Sequence, residues 1–105
     1  MKLLDLYYDK VKEYYEVETI GAAVNRKLNL ELEPLRMLIL LVYQEEGYGL
    51  SDCYRYYKFT KTRSTLYFDK IAANKSFETD RGFKLRYKEI LKLIKDERVS
   101  QGEVV

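Results

Sequence analysis

The stretch "PLRMLILLVYQ", Pro34 to Gln44, constrains the fold more than any other part of the chain. Its apolar residues Leu35, Leu38, Ile39, Leu41 and Val42 cover most of a helix circumference instead of a single stripe, and a helix of that kind has to be surrounded by other elements. Pro34 suits the first turn, where a missing N–H costs nothing. The remaining residues must therefore supply helices that cover it. The segment "NLELE" alternates like a short strand, but no second strand candidate exists to pair with it, so it reads as an extended linker and the chain as all-α. With 105 residues there is material for one domain around one core.

The covering helices can be read along the chain. Leu3, Tyr7, Val11 and Tyr14, with Leu4, Tyr8 and Tyr15 beside them, make a broad apolar stripe and predict a helix over residues 2–16. Thr19 can cap a short helix through "IGAAVNRKL". The central helix is stopped by "EEGYGL", whose two glycines provide the backbone freedom of a reversal. Ser51 is the expected N-cap of a short helix, "DCYRYYKF". Thr60 or Thr62 would cap the next helix, from Arg63 to Asn74, with Leu66, Tyr67, Phe68, Ile71 and Ala72 as its packing side. "KSFETDRG" reads as a loop, and Phe83, Tyr87, Ile90, Leu91 and Ile94 mark a closing helix from Asp80 to Lys95. The domain is thus expected over residues 1–95, followed by a frayed tail over 96–105.

Composition removes several classes of function. There is no histidine and only one cysteine, Cys53, so imidazole catalysis, a thiolate metal site and an internal disulfide are unavailable. Neither an enzyme nor a cofactor-binding protein is expected. No apolar run approaches the roughly 18 residues of a membrane span. The N-terminus mixes charges with its apolar residues, unlike a signal peptide, and a cytoplasmic protein is expected. Charge is unevenly placed. Residues 1–50 hold 6 Lys and Arg against 9 Asp and Glu, net −3, whereas residues 51–95 hold 12 against 5, net +7. A basic half of this kind attracts polyanions.

Within the basic half, "FTKTRSTLYFDKI" gathers Lys61, Thr62, Arg63, Ser64 and Thr65 at the start of a helix, after a short helix and a tight turn. That is the arrangement of a helix-turn-helix, whose second helix enters the major groove of DNA. Arg63 is the candidate for a guanine edge, and Ser64 and Thr65 can reach phosphate or base atoms. Lys61 and Lys70 are placed on flanking phosphates, and Arg55, Lys58 and Lys75 complete the basic set expected around the duplex. The alternative is a small helical module that contacts a protein through Tyr54, Tyr56 and Tyr57, aromatic residues being common anchors of such interfaces.

The order of these elements resembles the C-terminal DNA-binding domain of the bacterial replication initiator DnaA, a Trp-repressor-like helical domain, over roughly residues 8–95. "KTRSTLYFDKIAANK" is similar to that family's recognition-helix hallmark, with Lys61 at its arginine, Thr62 at its aspartate, Arg63 at its histidine, and Ser64 and Thr65 matching in kind. "VKEYYEVE" looks like its first helix, "PLRM" like the start of its long helix, and "NRKL" like its basic loop, which brings Arg26 and Lys27 into the expected interface. The resemblance implies a small helical bundle that binds double-stranded DNA, in replication initiation or transcriptional control, with a replication or transcription protein as a second partner. No phosphate-binding Gly-rich loop accompanies it, so a stand-alone relative of the DNA-binding domain is expected, without the initiator's motor. The sequence leaves the oligomeric state open.

Overall fold

Five helices account for the described residues of the chain, α1 (Lys2–Tyr15), α2 (Leu32–Glu46), α3 (Leu50–Tyr57), α4 (Arg63–Thr79) and α5 (Arg81–Ser100). The computed structural model describes residues 2–20, 32–59 and 63–102, without the side chains of Lys2 and Arg63. The helix predicted through "IGAAVNRKL" and most of the "NLELE" linker lie outside them.

Helix α2 is the axis of the bundle. Pro34, Leu35 and every residue from Met37 to Val42 are buried, and α1, α3, α4 and α5 all pack on it. Pro34 occupies the third helical position, where its missing N–H is one of the four with no intrahelical partner. Helix α1 presents Leu4, Tyr7 and Val11 to this axis and also packs on α5. It ends at Glu16, a non-glycine residue with φ of 55°, where the Val17 N–H donates to the Lys12 carbonyl at 3.1 Å. At the end of α2, Gly47 takes a φ of 77°, open to glycine and costly to other residues, and its N–H donates to the Tyr43 carbonyl at 3.0 Å.

Four boundaries differ from the sequence reading. The N-cap of α3 is Gly49 instead of Ser51, because Asp52 reaches back to accept the Gly49 N–H at 3.2 Å and so starts the helix earlier. Helix α4 does not stop at Asn74. The stretch Lys75–Thr79, expected as part of a loop, continues the helix, with Thr79 Oγ1 donating to the Lys75 carbonyl at 2.7 Å. Asp80 alone separates α4 from α5, where it acts as the N-cap by accepting the Phe83 N–H at 3.2 Å. Lastly, α5 runs on from Lys95 to Ser100. Polar contacts hold these last turns: Arg98 donates to Glu46 of α2 at 3.1 Å, and Lys10 of α1 lies 3.6 Å from Glu97.

Tyrosines seal the rim of the core. Tyr7 and Tyr87 are buried, and their hydroxyls donate to Glu46 at 3.3 Å and Glu45 at 2.7 Å, so a large apolar ring ends in a satisfied polar atom. Tyr14 donates likewise to Glu89, joining α1 to α5. Arg86 of α5 bonds Glu33 of α2 through Nε at 3.0 Å and through Nη2, a two-point contact across the same rim.

Candidate nucleic-acid interface

Helices α3 and α4 pack on each other and both pack on α2. Their connection begins at Lys58, which caps α3 in the left-handed region with φ of 52° and ψ of 48°. That conformation costs an L-residue about 1–2 kcal/mol, and glycine is the usual occupant of such a helix-ending position. Phe59 follows and is buried. Its ring stacks on Tyr57 at 5.4 Å and Tyr57 stacks on Tyr8 of α1 at 5.6 Å, so three rings pin the start of the turn to the bundle. The Tyr57 hydroxyl donates to the Leu4 carbonyl at 2.6 Å. Of the three tyrosines expected as protein anchors, Tyr57 is therefore spent on packing, and Tyr54 and Tyr56 are half-buried beside it.

The expected DNA-contacting residues do not form one set. Ser64 and Thr65 are exposed in the first turn of α4, and Lys75 is exposed further along it. Arg55 and Lys58 are exposed at the C-terminal end of α3, Arg55 lying 3.9 Å from Asp52. Lys70 is half-buried instead, with Nζ 3.7 Å from the centre of the Tyr43 ring on α2. Arg63 opens α4. Arg26, Lys27, Lys61, Thr62 and the Arg63 side chain lie outside the described residues.

The packing side of α4 is rotated from the one the sequence suggested. Leu66 faces the core as expected and Ala72 is half-buried, but Tyr67, Phe68 and Ile71 are 55%, 67% and 47% exposed. The residues that face inward with Leu66 are Asp69 and Ala73, at 4% and 0%. Asp69 decides the rotation. Its Oδ1 accepts from Nε of Arg36 on α2 at 3.1 Å, and a carboxylate this deep is tolerable only with such partners. Lys70 over Tyr43, and Phe77 packed edge-on against Tyr87 at 4.9 Å, hold the same rotational setting. One signal in the sequence could have found it: Arg36 is the single charged residue inside the apolar run of α2 and requires an acid nearby.

The result is an outward surface on the first half of α4. Ser64, Phe68, Ile71 and Lys75 follow the spacing of one helical line. An open groove of about 400 Å³ runs beside this line, lined by Leu50 and Ser51 of α3 and by Ser64, Leu66, Tyr67 and Phe68 of α4. From Ser64 to Phe77 the only acid is Asp69, and it is turned inward.

Cys53 is buried in α3, and burial pushes its thiol up to about 11, which leaves it protonated and unreactive near neutral pH. Among the described residues no group of three His, Cys, Asp or Glu is placed to hold a metal ion, and no helix is long and apolar enough to cross a membrane. No family model, curated protein or solved structure compared with the chain matches it. The described residues form a compact, all-α bundle of five helices.

Proposed function

We propose that this chain binds double-stranded DNA through α3 and α4, with α4 as the helix that enters the major groove. One observation carries the reading. The only acid on α4 between Ser64 and Phe77 is withdrawn into the bundle and paired with Arg36, leaving hydroxyls, aromatic rings and Lys75 outward over that stretch, with the exposed Glu78 only in the last turn. Such a face can approach phosphates without like-charge repulsion, and the amides of the first turn of α4 add the positive end of the helix dipole. Arg63, Ser64 and Thr65 are the base- and phosphate-contacting residues of this reading, with Arg55, Lys58 and Lys75 on phosphates. The strained backbone of Lys58 supports it too, since a charged side chain occupies a position where glycine would be less costly. The likeness of "KTRSTLYFDKIAANK" to the initiator hallmark points to replication initiation or transcriptional control.

The test is fluorescence anisotropy on a duplex selected from random sequence, at several salt concentrations. About three to five phosphate contacts should give a log–log salt slope of roughly −3 to −4.5. Arg63→Ala should weaken binding to the selected duplex more than to random duplex, while Lys75→Ala should weaken both alike. Binding to the selected duplex that is unchanged by Arg63→Ala would refute this assignment.

A second reading is a protein-docking module, and the exposure of Tyr67, Phe68 and Ile71 is the observation that favours it. Aromatic residues exposed together on one helix are typical interface anchors. Salt-insensitive capture of a protein partner, with no affinity for any duplex, would decide for this reading.

A further inference from the structure

We infer that Phe68 reads thymine, its ring seated on the C5-methyl group of a base in the major groove beside a hydrogen bond from Ser64 to the same base. The inference rests on the DNA-binding reading of α4 and names the base that the outward face of that helix selects.

Its starting point is a mismatch between a side chain and its surroundings. Phe68 is 67% exposed, the most open of the large apolar side chains among the described residues, on the helix that also carries the hydroxyl cluster. A helix in the major groove meets donors and acceptors on every base pair, and burying a phenyl ring against them would leave polar atoms without partners. The thymine methyl is the largest apolar group on the floor of that groove, where cytosine presents only a C5 hydrogen. A phenyl ring on the entering helix therefore has its most favourable contact there.

The neighbours of Phe68 agree with that contact. Ser64 lies one turn before it on the same helical line, and both line one groove together with Ser51 of α3. Thymine presents its methyl next to the O4 acceptor, so a ring with a hydroxyl beside it matches both features of the one base edge. Ile71 continues the apolar line, Lys75 adds a positive charge, and the exposed Glu78 follows only in the last turn of α4, away from Ser64 and Phe68. No carboxylate interrupts the line from Ser64 to Lys75. Tyr67, set edge-on to Phe68 with ring centres 6.0 Å apart, widens the apolar surface and limits the movement of the ring. Residues 51–75 as a whole hold six Lys and Arg against two Asp, a basic excess that complements a polyanion and that a general apolar docking face would lack.

Replacing thymine by deoxyuridine removes only the methyl group and keeps every hydrogen-bonding atom, so the pair isolates the contact. The experiment compares the selected duplex with versions carrying deoxyuridine at one thymine at a time, using the wild-type chain and Phe68→Ala. Since Phe68 is exposed, that variant should keep the fold, which its circular dichroism and melting temperature check independently. The expected result is a loss of about threefold to fivefold in wild-type affinity at one or two thymines, the value of one buried methyl group, and no loss at the same positions for Phe68→Ala. Ser64→Ala should weaken the thymine and deoxyuridine duplexes by the same factor. Equal affinity for both duplexes would overturn the inference and leave the DNA-binding reading in place. A wild-type methyl effect that persists unchanged in Phe68→Ala would assign the contact to another side chain and overturn it as well. Absence of binding to any duplex, or a preference for single strands, would remove the DNA-binding reading and the inference together.

Discussion

Replacing Arg36 with Ala tests whether an ion pair sets the rotation of α4. Asp69 is 4% exposed, and the Arg36 side chain that reaches it at 3.1 Å is 31% exposed. Breaking a fully buried pair by removing one partner costs about 3–5 kcal/mol, and an exposed pair is worth about 1 or less. With one partner buried and the other a third open to water, Arg36→Ala should cost about 2 kcal/mol, between those limits. For a domain of this size that lowers the melting temperature by roughly 10 °C. Urea denaturation followed by circular dichroism should show the midpoint falling by about 1 M with the slope unchanged. Asp69→Asn keeps the shape and removes the charge, so it should cost less, about 1 kcal/mol. The double variant should be less destabilised than the sum of the two, because each single change spoils the same contact. An Arg36→Ala protein within about 0.5 kcal/mol of the parent, or strict additivity of the two changes, would refute the reasoning.

Two further outcomes follow from the turn and from the buried phenols. Lys58→Gly should stabilise the fold by about 1 kcal/mol in the same urea assay by relieving the left-handed backbone, and should weaken duplex binding in the anisotropy titration; lower stability would show that the lysine side chain supports the fold. Burial raises the phenols of Tyr7, Tyr57 and Tyr87 above the ordinary tyrosine value of 10.0, and the Cys53 thiol to about 11, so the unfolded chain loses these protons first as pH rises. The stability they contribute is fully present near neutral pH and is lost above about pH 9–10, and tyrosinate absorbance should show a lagging fraction that ionises only on unfolding; all eleven tyrosines titrating together near pH 10 without loss of structure would contradict this.

The elements that were legible in the sequence are those whose apolar spacing has one solution. The run Met37–Val42 could only be a surrounded helix, Gly47 marked its end, and Phe83, Tyr87, Ile90 and Ile94 fixed the inner face of α5. Helix α4 was harder because its apolar residues lie on both sides, and it is the least amphipathic of the five. Tyr67, Phe68 and Ile71 look like core beside Leu66, and only a partner at a separation of 33 residues, Arg36, reveals that Asp69 is the inward one. Its last turns, around Lys75, Ser76 and Glu78, look like a loop because few of their side chains need burial. The end of α5 was hidden for a related reason: ion pairs with Glu46 and Lys10 leave no periodic trace. At the candidate site, Ser64 and Thr65 were visible as a polar cluster at a helix start. Phe68 was not, since an apolar side chain is by default assigned to the interior.

The central position of α2 gives the bundle a graded response to opening. Residues Leu38–Val42 are enclosed on all sides, so their amide hydrogens can exchange with solvent only when the whole bundle unfolds, and their protection measures global stability. Helix α3 has 8 residues and only Cys53 fully buried among them, so it opens locally at lower cost. A ligand that bridges α3 and α4 should therefore slow exchange most in α3, the helix with the most local freedom to lose. Protection in α2 would rise only by the amount that binding adds to the stability of the whole, which lets one exchange experiment separate where a ligand sits from how tightly it binds.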